Sequence, residues 1–274
     1  MQNLKLQLFK KKCMGKVYCI LQKLTLLLFQ NNTGSILFLS FMLSVISCSK
    51  TNRYHNESIP SPPITGKTYS ATEIVAFKEL AFSATTGDDG FIKKWRSNEV
   101  FVYMVDTSFS YLNDELDAII SDFNGLTQPE LTLKKTTDRS SAGLLIYLTD
   151  KSIFFDAEPV AGNAYQALSR IGFTYAFWGS DKKIDRAVIF NDITRPDYNT
   201  IVDNRYVMRH EMMHALGFLG HVTLPEFSGS CLFNSFNLTT DYTSFDKRMI
   251  TLLYNPAIKA GMKEAELNLV LVNL

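Results

Sequence analysis

The chain has 274 residues, 46% of them hydrophobic, with 28 Lys and Arg against 27 Asp and Glu and a net charge of +1. That is ordinary globular composition, enough for one large domain or two small ones. With no basic stripe and no acidic tail, the charge pattern argues against a nucleic-acid partner, and no internal repeat points to a solenoid.

The N-terminal part reads as an export signal and not as fold. Residues 1–30 scatter Lys5, Lys10, Lys11, Lys12, Lys16 and Lys23 among apolar residues, and "SILFLSFMLSVISC" (35–48) is an uncharged apolar run. It is short for a bilayer span, as a signal-peptide core is. Its end, Val45-Ile46-Ser47-Cys48, resembles the lipobox of bacterial lipoproteins, so Cys48 is the expected lipidation site, with residues 1–47 removed. The basic region is long, and Met14 is a candidate true start. "SKTNRYHNESIPSPPITGK" (49–67) is polar, carries three prolines and reads as a tether that lifts a domain off the membrane. With Cys13 and Cys19 cut away, Cys48 acylated and Cys231 alone, no disulfide remains and the domain (68–274) must rest on its core. The expected location is the bacterial cell envelope, on a membrane through the lipid and without crossing it.

Within the domain, residues 72–84 predict a helix with Ile74, Phe77 and Ala81 on one side. "EVFVYMVD" (99–106) predicts a strand. "SYLNDELDAIISDFNG" (110–125) predicts a helix, with Leu112, Leu116, Ile119, Ile120 and Phe123 in phase and Asn124-Gly125 as its stop. "GLLIYLTD" (143–150) is continuously apolar, as expected of a strand covered on both faces. "GFTYAFWG" (172–179) and "DRAVIFND" (185–192) predict two more strands. A helix follows over about 200–217, with Ile201, Val202, Met208, Met212 and Leu216 as its apolar face. Another over 244–256 turns Phe245, Met249, Leu252 and Leu253 inward and ends at Pro256. Strands alternating with helices predict a mixed sheet, not a bundle.

The chemistry lies in "RHEMMHALGFLGH" (209–221). His210 and His214 are four apart, so on a helix they share one face a turn apart and can reach one zinc ion. Glu211 stands beside them. A catalytic zinc keeps a position open for water and brings its pKa towards neutrality. Glu211 would take that water's proton as it attacks a carbonyl and pass it to the leaving nitrogen. Gly217 can end the helix in a left-handed conformation and turn the chain back under the metal.

This stretch resembles the signature of the metzincin clan of zinc peptidases, HExxHxxGxxH, matched through His210, Glu211, His214 and Gly217. The resemblance implies an α+β fold: a twisted mixed sheet with two long helices, one carrying HExxH, and a smaller helical C-terminal part. It implies one catalytic Zn2+ on His210, His214 and a third histidine, with Glu211 as the general base and a protein or peptide substrate. The third histidine comes one residue late, at His221, with Gly220 in its usual place and absorbed as a bulge. Glu226 and Asp241 are the rival third ligands. "TSFDKRMITLLYNP" resembles the C-terminal helix of matrixin-type members, and "AIKAGMKEAE" resembles a family of uncharacterised secreted bacterial proteins.

The methionine turn of that clan has no counterpart in "SGSCLFNSFN" (228–237), where Leu232 or Phe233 would supply the apolar floor. Tyr242 is a candidate oxyanion donor, whereas Tyr254 reads as packing. The strand 172–179 is the expected sheet edge for an extended peptide. The alternative, from another functional class, is a surface binding lipoprotein with a structural or inactive zinc site whose fourth position Cys231 closes. Either protein is expected to be a monomer.

Overall fold

The predicted helix over 72–84 forms as α1 (Ala71–Phe82), burying Ala76, Phe77, Leu80 and Ala81, with Ile74 half-buried at its rim. The structure, a computed structural model, describes residues 69–82, 90–166, 171–195, 197, 199–234, 239–272 and 274. The expectations for the signal segment, Cys48 and the tether lie outside these residues.

Six strands make one sheet: β1 (Lys94–Trp95), β2 (Glu99–Met104), β3 (Thr132–Lys135), β4 (Leu144–Thr149), β5 (Gly172–Trp178) and β6 (Lys183–Asp192). The order is β1-β6-β4-β2-β3, every pair in that row parallel, while β5 runs antiparallel along β6 alone. The fold is therefore α+β with a mostly parallel mixed sheet. The strands expected at 143–150, 172–179 and 185–192 are β4, β5 and β6, and β5 is an edge. β4 sits centrally between β2 and β6, and its continuous apolar run follows from that place. Leu144, Ile146 and Leu148 face one core, and Leu145 and Tyr147 the other.

The first core lies under α1, α2 (Ser110–Thr127), α5 (Ile201–Ala215) and α6 (Ser244–Leu253). The second, more aromatic core lies under α3 (Lys151–Ala157) and α4 (Pro159–Gln166), where Phe154 stacks on Phe190 with ring centroids 4.5 Å apart. A short C-terminal helix, α7 (Glu264–Leu271), packs near α1.

Helix α2 does not stop at Asn124-Gly125 but runs to Thr127. Asn124 bonds a neighbouring strand instead of capping the helix. Its amide accepts from Leu133 N at 2.7 Å and donates to Leu133 O at 2.9 Å. A second departure is at the start of α5, where Ile201 and Val202 are 56% and 44% exposed and burial begins at Asp203. Those two residues occupy the first turn, ahead of the stretch that meets the sheet, so helical phase alone misplaces them.

Two ties fix α5. Thr200 caps it, and Thr200 and Asp203 exchange side-chain to backbone bonds in a capping box. Along its flank, Glu115 of α2, 1% exposed, accepts from both Arg205 and Arg209, and Arg209 Nη1 donates to Asp122 at 3.1 Å. Arg209, 3% exposed, also lies over the Tyr242 ring, 4.8 Å to its centroid.

Candidate metal centre

Helix α5 ends where the sequence places its stop. Leu216 is the C-cap and Gly217 takes φ +117°, a backbone region closed to most side chains. A Cβ at Gly217 would come 2.4 Å from the backbone oxygen of Lys93, so the turn also needs the missing side chain for clearance. The last carbonyls of the helix are taken up from outside it. Trp95 Nε1 donates to Ala215 O at 2.9 Å and Tyr254 Oη to Leu216 O at 2.8 Å.

The segment after Gly217 is held from two sides. Gly220 N donates to Leu80 O of α1 at 2.9 Å. Val222 pairs with the loop 231–234, donating to Leu232 O at 2.9 Å and accepting from Asn234 N at 3.0 Å. His221 lies between these anchors, and the extra residue, Gly220, is taken up in the chain's passage across α1. The outcome is three histidines together. His214 Nε2 lies 3.1 Å from His210 Nε2, and His221 Nε2 lies 3.2 Å from it. The three rings stand 4.7, 4.9 and 5.1 Å apart between centroids.

Protons decide what this cluster can do. His210 Nδ1 lies 2.6 Å from the carbonyl oxygen of Cys231, and His214 Nδ1 bonds the carbonyl oxygen of Phe218. A carbonyl oxygen only accepts, so both Nδ1 atoms carry hydrogen and both neutral rings turn a lone pair outward at Nε2. Two lone pairs facing each other at 3.1 Å repel unless a cation lies between them. Ligand nitrogens on a tetrahedral zinc with bonds of about 2.0–2.1 Å are separated by about 3.3 Å. The donor set and its spacing fit such an ion, and the backbone carbonyls behind the rings are the partners that orient metal-binding histidines.

No Cys, Asp or Glu joins the three histidines among the described residues. Glu226 lies exposed in the short turn Pro225–Phe227, and Asp241 is exposed before α6. Cys231 is fully buried, and burial pushes its thiol well above the usual range. Its carbonyl, not its sulfur, reaches the cluster. Tyr242 is not an oxyanion donor here: it is 4% exposed, stacks on Phe123 at 5.1 Å and gives its hydroxyl proton to Arg209 O at 3.1 Å. Of the two residues expected to floor the site, Leu232 is fully buried in the core and Phe233 is half-buried.

Sequence reasoning missed the prop beneath Cys231. Asp246, fully buried in the first turn of α6, accepts from Ser230 Oγ at 2.5 Å, Cys231 N at 3.4 Å, Thr243 N at 2.9 Å and Thr243 Oγ1 at 2.7 Å. Burial pushes its carboxyl above the usual value against the pull of these donors. The available signal was the T-x-x-D spacing of a capping box at Thr243; its reach across to the loop was not legible.

Glu211 is 5% exposed, next to the cluster on α5 and against the edge strand β5.

A family model described as "Protein of unknown function (DUF2927)" matches residues 71–273. No curated protein matches the chain. Among solved structures, that of Myroilysin is similar with a TM-score of 0.36 at 10% identity, covering 60% of this chain and 83% of that one. A likeness of that strength carries no argument about activity.

Proposed function

We propose that this chain, which belongs to the DUF2927 family of proteins of unknown function, is a zinc-dependent metallopeptidase of metzincin type. The observation that carries the reading is the convergence of three imidazoles, with Nε2 of His214 and of His221 standing 3.1 and 3.2 Å from Nε2 of His210, and with the other nitrogen of His210 and of His214 bonded to a carbonyl. His210, His214 and His221 would hold the ion. When bound, zinc would supply Lewis acidity and a water able to attack near neutral pH.

The rest is the work of the chain's own groups. Glu211, buried beside the three histidines, takes a proton from the attacking water and delivers it to the departing peptide nitrogen. The edge strand β5 offers backbone groups on the side away from β6, the arrangement that receives an extended peptide. No fourth His, Cys, Asp or Glu joins the three histidines among the described residues. That supports an open catalytic site over a closed structural one.

The reading extends to the segments before the domain. Residues 1–47 are a lipoprotein-type signal, Cys48 is acylated, and 49–67 tether a monomeric peptidase to a membrane of the bacterial cell envelope.

The test uses the purified full chain, loaded with zinc, on a mixed peptide library read by mass spectrometry. Internal peptide bonds are cut, the cutting stops when a chelator removes the metal, and it returns when zinc is restored. A zinc-loaded chain that cuts nothing, or cutting that survives removal of the metal, contradicts the reading.

A further inference from the structure

We infer that Thr174 and Gly172, on the edge strand β5, are the positioning residues for the Glu211 carboxylate, an inference that rests on the peptidase reading above. They lie two apart on a strand and so face the same side, towards α5, while Phe173 between them turns into the second core. Thr174 Oγ1 stands 2.7 Å from Glu211 Oε2 and 2.9 Å from Glu211 O. Both oxygens are acceptors, so the single hydroxyl proton is shared between the carboxylate and the backbone of the same residue. A bridge between the two ends of one side chain fixes its rotamer, and threonine, stiff at χ1, is suited to hold it.

Gly172 bounds the other oxygen. A Cβ there would come 2.7 Å from Glu211 Oε1 and 2.4 Å from Val207 Cγ1. Both atoms belong to side chains of α5, so an added Cβ would displace the carboxylate and the Val207 side chain. β5 therefore grips both oxygens of Glu211: the Thr174 hydroxyl holds one, and the bare backbone at Gly172 makes room for the other. The strand that would receive the substrate thus also sets where the base stands, which is the kind of support that keeps a reacting group within a fraction of an ångström of its working place.

Thr174→Val keeps the shape of the side chain and removes the donor, whereas Thr174→Ser keeps the donor. With the full, zinc-loaded chain, Thr174→Val lowers kcat by about 100-fold with KM little changed, as displacement of a catalytic group by about 1 Å does. Thr174→Ser restores turnover to near the wild-type value, and both variants bind zinc like the wild type. Crystal structures of the zinc-loaded wild type and Thr174→Val give a readout independent of turnover: the Glu211 carboxylate lies against β5 in the first and swings away in the second. An unmoved carboxylate in Thr174→Val, or a serine variant as impaired as the valine one, overturns the inference. If the wild type cuts no peptide, the peptidase reading fails, and the carboxylate positions in the two structures alone decide this one.

Discussion

Glu211→Gln lowers turnover of the zinc-loaded chain by about 10²- to 10⁴-fold, the range of a lost general acid–base, and leaves its zinc content unchanged. The substitution is isosteric, and the amide oxygen can still accept from Thr174 Oγ1, 2.7 Å away in the wild type. What it removes is the capacity to carry a proton. His210 and His214 are held from behind by the carbonyls of Cys231 and Phe218, groups that the substitution leaves in place. The measurement is kcat/KM on the best cleaved peptide together with metal analysis of the same preparation. A glutamine variant that keeps its turnover would show that the proton moves through another group. One that loses zinc in parallel would mean that the carboxylate serves the metal site and not the reaction.

Glu115→Ala lowers stability by about 3–5 kcal/mol, because it strands a buried guanidinium. Arg209 and Glu115 are both nearly sealed from solvent, and Arg209 would be left with Asp122, a carboxylate one-third exposed at 3.1 Å. Arg205, on the same Glu115, has a side chain 42% exposed. Arg205→Ala removes a screened partner and lowers stability by about 1 kcal/mol at most. Denaturant unfolding of the two variants beside the wild type reads both values. Equal losses would contradict the assignment of Arg209 as the buried partner. The pair matters to the site because Arg209 precedes His210 and ties the middle of α5 to α2.

The parts of the site that lie on one helix were readable from residue spacing. His210, Glu211, His214 and Gly217 follow a period that local geometry enforces, and the left-handed turn at Gly217 appears as expected. Long amphipathic α2, continuously apolar β4 and the four inward residues of α6 were readable for the same reason. Contacts made by backbone were not. Cys231 offers the cluster a carbonyl, which every residue carries, and no side-chain pattern announces it. Gly220 is held by Leu80 O across 140 positions of sequence, a bond only the fold supplies. Short elements were also hidden. α3 and α4 are 7 and 8 residues long with Pro159 opening the second, too short to be stable on local preference, and they exist because Phe154 and Tyr165 pack on Phe190. β1 has two residues, and β3 ends in two exposed lysines, as an edge strand does.

His221 carries the most weight, because it arrives one residue later than the clan's spacing and still meets the other two rings. Metal analysis of the purified full chain, wild type beside His221→Ala, tests this most directly. The account predicts about one zinc per chain in the wild type and a weakened or lost ion in the variant, as for a site that has given up one of three protein ligands. Full occupancy without His221 would contradict it and return the third position to another residue.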